Sequence, residues 1–188
     1  LFVTYFDKEN IAYWMAFQLL TGNTDTQNRN VYLYSPQNSS KWYLWDWDND
    51  GMLRRREREI IKFSDSESWE RGVSNYWGNV LFRRCLQTQS YRDMLDAAMK
   101  ELYAYMNEER IQSMMEHYRS VTEKYVWQMP DRMNVPITHD EYEEVLKSIW
   151  PEIDENYNYY WESYRKPILY WRAAGGKRLP SADLGPLL

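Results

Sequence analysis

The side chains best suited to chemistry lie between Asn23 and Asp50. A polar loop reads Gly22-Asn23-Thr24-Asp25-Thr26-Gln27-Asn28-Arg29-Asn30. Further on, the chain runs through Trp45-Asp46-Trp47-Asp48-Asn49-Asp50-Gly51. Carboxylates brought together repel one another, and a divalent cation relieves that repulsion by taking their oxygens as ligands. Asp46 and Asp48 lie two apart, so an extended backbone points both to one side.

Two chemistries fit this spacing. In phosphoryl transfer by protein kinases, an Asp serves as catalytic base and an Asn five positions later binds metal. A second metal-binding Asp follows beyond a hairpin. Asp25, Asn30 and Asp46 have that order. The other chemistry is calcium binding. Asp46, Asp48, Asp50, Gly51, Leu53 and Glu57 satisfy the twelve-position EF-hand pattern, although the residues before Asp46 read as strand and not as an entering helix. A third account has no chemistry in it: Asp and Asn also populate loops by capping backbone groups.

The elements that must position these groups follow from periodicity. Asp7 caps a first helix with Ile11, Ala12, Met15, Ala16, Leu19 and Leu20 at helical spacing, and Gly22 stops it. Val31–Tyr34 and Lys41–Trp45 read as two strands around a Pro36–Ser40 turn, a β-hairpin. A hairpin returns its end to its beginning, so Asp25 and Asn30 should face Asp46 and Asp48 across its mouth. Residues 62–75 read as loop, and the text is helical from Trp77. Ser90 with Asp93 predicts a capping box. Asn107 caps a helix with Ile111, Met114, Met115, Tyr118, Val121 and Tyr125 on one face. Thr138 with Glu141 predicts a second capping box, and Pro151 a break or kink. Helix continues to about Trp171, and residues 175–188 read as a loose tail after a unit spanning 1–174. The expected fold class is α+β, mainly α: one helix, one hairpin carrying the acidic groups, then a helical bundle.

Residues Tyr13 to Asp48 resemble the core of the spore-coat-protein-H (CotH) kinase family. The resemblance rests on Asn23-Thr24-Asp25, Asn30, Tyr32-Leu33-Tyr34, Lys41-Trp42 and Trp45-Asp46-Trp47-Asp48. The layout from Trp77 to about Arg165 is similar to the family's C-terminal helical region. The resemblance implies an atypical protein kinase using ATP and a divalent metal on secreted or surface proteins, itself secreted or located on the cell or spore-coat surface. It implies an atypical protein-kinase-like C-terminal lobe with Asp25 as catalytic residue. Asn30, Asp46 and Asp48 would hold Mg2+, with Mn2+ or Ca2+ as substitutes. Trp42 would stack on adenine, or else cover the hairpin's core. In the calcium alternative the ligands are Asp46, Asp48, Asp50 and Glu57, in a non-catalytic surface or adhesion module. The pattern also departs from a whole kinase. Only 24 residues precede Asp25, and they offer no phosphate-binding Lys or lid. An N-terminal lobe or adjacent domain, beside the protein substrate, is therefore an expected partner, and the chain alone is expected to bind ATP weakly.

The remaining features set limits. The 188 residues carry a net charge of −5, which argues against gripping a phosphate backbone over the whole surface, so no nucleic-acid partner is expected. No apolar run reaches the ~20 residues of a membrane span, and no signal peptide is visible. One cysteine, Cys85, excludes an internal disulfide or a multi-cysteine zinc site, and it reads as a buried small side chain. His117 and His139 read as surface or capping residues. Aromatic residues make up 17%, enough that some rings must be exposed or line a groove in a chain of this size. Tyr157, Tyr160, Trp161 and Tyr164 recur at helical spacing and are expected to pack a core, although a sugar-binding platform of a glycosidase is a rival. Met99, Met106, Met114, Met115 and Met129 are expected to fill core gaps. Arg54, Arg55, Arg56 and Arg58 read either as the solvated start of a helix or as an activation-segment anion site.

Overall fold

A computed structural model describes residues 2–23, 25–27, 29–61, 73, 76 and 79–173. A short helix α1 (Phe2–Tyr5) leads into α2 (Lys8–Leu20). Asp7 caps α2 through its carboxylate, which accepts the amide N–H of Asn10 at 2.9 Å. Ile11, Ala12, Met15, Ala16, Leu19 and Leu20 are all buried, as their spacing predicts. Gly22 ends the turn at φ +62°, a conformation costly for other residues.

Strands β1 (Tyr32–Tyr34) and β2 (Tyr43–Trp45) pair antiparallel, with Leu33 opposite Leu44. A two-stranded hairpin is marginal alone, and α2 supplies its anchor. The Asn10 side chain acts as a surrogate strand. Its Nδ2 donates to the Leu44 carbonyl at 3.2 Å, and its Oδ1 accepts the Leu44 N–H at 2.7 Å. Leu44 is buried, while every residue of β1 is exposed. Tyr32, Tyr34, Trp42, Trp45 and Trp47 are likewise exposed, so much of the aromatic excess lies on the surface of the hairpin.

Helix α3 (Arg55–Ile61) follows, and then α4 (Val80–Gln87), α5 (Gln89–Tyr105), α6 (Glu108–Val126) and α7 (His139–Ala173). The whole is mainly helical, with one two-stranded sheet. The core runs from α2 to Phe82 and Leu86 of α4, to Tyr91, Leu95 and Met99 of α5, and to Ile153 and Tyr160 of α7. Trp14 stacks on Phe82 at 5.4 Å, and Tyr76 meets both rings edge-on. The Asn156 amide of α7 donates to the Leu20 carbonyl at 3.1 Å, tying α7 to the end of α2.

Several expectations change. The box at Ser90 is absent. Thr88 directs its hydroxyl back to the Arg84 carbonyl, so α5 begins at Gln89, and Gln89 takes the Asp93 carboxylate. Pro151 neither breaks nor visibly ends α7. Pro151 and Lys147 are both exposed, so water can meet the carbonyl that loses its helical partner, while buried Glu152 and Ile153 hold the next turn inward. On α6 only Ile111 is buried. Met114, Tyr118, Val121 and Tyr125 are exposed, because α6 packs on its neighbours by a different flank, through Met115 and the ion pair of Arg119 with Glu143. Met129 is exposed as well, whereas Met99 is core.

Other expectations hold. Asn107 caps α6, accepting the Arg110 N–H at 3.0 Å. The Thr138–Glu141 box is reciprocal. The Thr138 N–H donates to Glu141 at 2.7 Å, and the Glu141 N–H donates to the Thr138 hydroxyl at 3.3 Å. Tyr160 is buried, Tyr157 stacks on Tyr103 at 3.8 Å, and Trp161 packs against the core, so these three rings pack the bundle, while the side chain of Tyr164 lies outside those described. Cys85 is buried in α4, and burial pushes its thiol up to about 12. The expected loop over 62–75 lies outside the described residues apart from Val73, as does the tail over 175–188. Among the described residues, no helix is long and apolar enough to cross a membrane.

Candidate functional site

Two segments meet beneath the hairpin. The first leaves α2 at Gly22 and forms a single 3-10 turn, Asp25–Gln27. The second leaves β2 at Trp45 and ends in another 3-10 turn, Asn49–Gly51. The Leu53 N–H donates to the Thr21 carbonyl at 2.8 Å, which fixes the second segment against the end of α2.

Asp25 is held from three sides. Its backbone N–H donates to Asn23 Oδ1 at 3.2 Å. The next residue, Thr26, is fully buried, and its hydroxyl shares a 2.8 Å bond with the Tyr76 hydroxyl in the core. The Asp25 carboxylate lies over Gly51, where a Cβ would come within 3.1 Å of Oδ2 and equally close to Asn23 Oδ1. The absence of a side chain at Gly51 is what lets the two segments approach so closely. Arg29 approaches Asp25 at 3.7 Å but is itself mostly exposed, so this pair contributes little.

Asp46 is placed by α2. Gln18, 1% exposed, donates from Nε2 to Asp46 Oδ1 at 3.0 Å and to Asn49 Oδ1 at 3.3 Å. Asn49 Oδ1 also accepts from Asn23 Nδ2 at 3.1 Å. Asp46 is exposed as a residue, yet its carboxyl is partly withdrawn from water against Gln18. Desolvation raises its pKa above the usual carboxylate range, and the bond from Gln18 pulls it back down.

The other expected site residues are looser. Asp48 is exposed and adopts φ +54°, and half-buried Asn30 adopts φ +55°, both left-handed conformations that Asp and Asn tolerate. No three of Asp25, Asp46, Asp48 and Asp50 bring carboxylate oxygens within 4.8 Å of one another. Trp42 is exposed at the edge of the hairpin. Its N–H donates to the Tyr5 carbonyl at 2.7 Å, and its carbonyl accepts the Asp7 N–H at 3.1 Å. Glu57 lies on α3 and forms a two-bond pair with Arg54, at 2.8 and 3.0 Å. Calcium at Glu57 would therefore have to displace a guanidinium. That pairing is the main reason the Arg54 pKa is raised; burial opposes it, and the charges of Glu57, Asp50 and Asp25 add to it. Arg55 pairs with Glu155, and Arg56 with Glu59 and Glu144, so these arginines brace α3 against α7.

Among the described residues, one group of three offers clustered metal-type ligands: Glu123, His139 and Glu143. Arg119 bonds to both carboxylates, and His139 lies 3.1 Å from Glu123. The guanidinium already supplies the positive charge a metal would bring, and the group reads as an ion-pair network joining α6 to α7.

Sequence reasoning missed Gln18, Asn49 and the close approach at Gly51. For Gln18 a signal existed: it falls at i+7 from Ile11 and i+3 from Met15, on the buried face of α2. A polar amide on that face requires a partner. No curated protein and no solved structure matches the chain. Residues 2–160 match the family described as CotH kinase protein, and the chain belongs to that family.

Proposed function

We propose that this chain forms the metal-binding and substrate-facing lobe of an atypical protein kinase, in the manner of a kinase C-terminal lobe. The reaction would transfer a phosphoryl group from ATP to hydroxyl groups of secreted or surface proteins. The observation that supports it most is the joining of Asp25 and Asp46, residues from two separate segments, through Gln18, Asn49 and Asn23. A loop whose side chains merely capped its own backbone would not need that connection.

The donor set suits magnesium, which is satisfied with one or two carboxylates, waters and phosphate oxygens. Asp46, Asp48 and Asn30 would hold it, and Mn2+ would substitute. When bound, the metal supplies positive charge to the phosphates. Asp25 sits on a rigid turn with its carboxylate exposed enough to meet a substrate hydroxyl, to orient it and take its proton. Positioning of this kind supplies most of what a protein can add to phosphoryl transfer. The nucleotide grip, with its phosphate-binding Lys, would come from a second lobe outside this chain, and Trp42 at the hairpin edge would stack on adenine.

Melting curves with Mg2+, Mg2+ plus ATP, and Ca2+ test the reading. Mg2+ or Mn2+ should raise the melting temperature of the wild type and fail to do so in Asp46→Ala. Asp25→Ala should keep the metal response and lose phosphoryl transfer in the complete enzyme. A gain from Ca2+ alone that Glu57→Ala abolishes would establish the calcium module instead.

A further inference from the structure

We infer that Gln18 is a positioning residue, whose buried side-chain amide holds the Asp46 carboxylate in the orientation that receives the divalent cation. The inference rests on the reading of Asp46 as a metal ligand and adds a residue from outside the acidic segments.

Gln18 sits in the last turn of α2 among Met15, Leu19 and Leu20, and it is 1% exposed. Its amide nitrogen divides its two hydrogens between Asp46 Oδ1, at 3.0 Å, and Asn49 Oδ1, at 3.3 Å. Asn23, 2% exposed, completes the connection. Its nitrogen donates to the same Asn49 oxygen, and its oxygen accepts the Asp25 N–H. Three amides thus link the Asp46 carboxylate to the backbone of Asp25. Gln18 is the only one of the three carried by a long helix, so it refers both acidic groups to the core.

Stability alone does not account for a glutamine here. Its Oε1 is buried without a hydrogen-bond partner, a cost that an apolar side chain of the same size would avoid. Asp46 is exposed as a residue and could be hydrated without the amide. Asn49 would still be held by Asn23. What the amide uniquely provides is a fixed carboxylate rotamer. Orienting bonds to metal ligands are worth about tenfold to a hundredfold in metal affinity.

The test uses Mn2+ as the probe, with the dissociation constant read from its electron paramagnetic resonance signal during titration of the chain. Gln18→Met conserves volume and removes both the donor and the orphaned oxygen. The expected result is a Mn2+ dissociation constant weakened about tenfold, with a metal-free melting temperature unchanged or raised. Gln18→Asn retracts the amide by one methylene and should weaken Mn2+ similarly, which keeps the test readable if the methionine variant does not fold. Asp46→Ala should abolish binding. Affinity within about twofold of wild type in both Gln18 variants, while Asp46→Ala abolishes it, would overturn the role of Gln18 and leave the metal site standing. A metal-free melting temperature that falls in step with affinity would mark Gln18 as merely structural and overturn the proposal. Undiminished Mn2+ binding by Asp46→Ala would overturn the metal reading itself, and this inference with it.

Discussion

Replacing Gly22 by alanine should destabilise the chain by two separable effects at the point where α2 gives way to the Asp25 turn. Gly22 adopts φ +62°, and a side chain in that region costs roughly 1–2 kcal/mol. The new Cβ would also lie 2.9 Å from Asn156 Nδ2, inside the closest approach that carbon and nitrogen normally make. Asn156 is 7% exposed and donates from that same nitrogen to the Leu20 carbonyl. Pushing it aside leaves a buried acceptor unpaired, a further cost of about 1–3 kcal/mol. A central total of about 3 kcal/mol corresponds to a fall of roughly 6–12 °C in melting temperature for a chain of this size. A double-mutant cycle separates the two effects. In an Asn156→Ala background nothing remains to be displaced, so Gly22→Ala should cost only the backbone share, about 1–2 kcal/mol. The assay is urea denaturation of the four proteins followed by circular dichroism. Additivity of the two substitutions within about 0.5 kcal/mol would refute the contact, because independent sites add to that accuracy.

Three further outcomes follow from the same structure. Thr26→Val removes the buried partner of the Tyr76 hydroxyl and should cost about 1–3 kcal/mol in urea denaturation, with no change in charge. Cys85, buried and with its thiol pushed up to about 12, should resist a thiol reagent at mildly alkaline pH and react only after denaturation. The Glu141 carboxylate is held below its usual range, first by the backbone N–H of Thr138 and then by the Thr138 hydroxyl. A carboxylate lowered in the folded state adds stability above its unfolded pKa and loses it as pH falls through the folded value. Glu141→Gln should therefore narrow the difference in melting temperature between neutral pH and about pH 3.

Periodicity revealed most of the scaffold because burial enforces it. The apolar spacing of α2, the caps at Asp7 and Asn107, and the Thr138–Glu141 box each depend on residues close in sequence, and each appears as expected. The failures involve tertiary competition. Asp93 matches a box three residues after Ser90, but Gln89 takes its carboxylate. Met114, Tyr118, Val121 and Tyr125 have core spacing on α6, but the neighbouring helices meet another flank. Pro151 carries a break signal, yet its turn is exposed and the next is anchored. In the candidate site, the acidic groups stood out because metal and phosphate chemistry would call on Asp and Asn. Gln18 was not, because a helix tolerates glutamine anywhere and only the fold shows that this one is buried.

The acidic groups therefore divide by how firmly the fold holds them, and the division has chemical consequences. Asp46 Oδ1 accepts from the buried amide of Gln18, and the backbone of Asp25 donates to the buried amide of Asn23, so the Asp46 carboxylate and the Asp25 turn are positioned before any ligand arrives. Asp48 and Asn30 adopt left-handed conformations at the mouth of the hairpin, and Asp48 is exposed there. A carboxylate already held by a bond costs little to reorganise, while one that makes no such bond must be ordered at the moment of binding. Under the proposed function, a cation should therefore depend most on Asp46, and Asp48 should refine affinity without creating it. What ranks Asp46 first is thus the contact least accessible to sequence inspection, since its amide partner Gln18 lies on α2, 28 residues earlier in the chain.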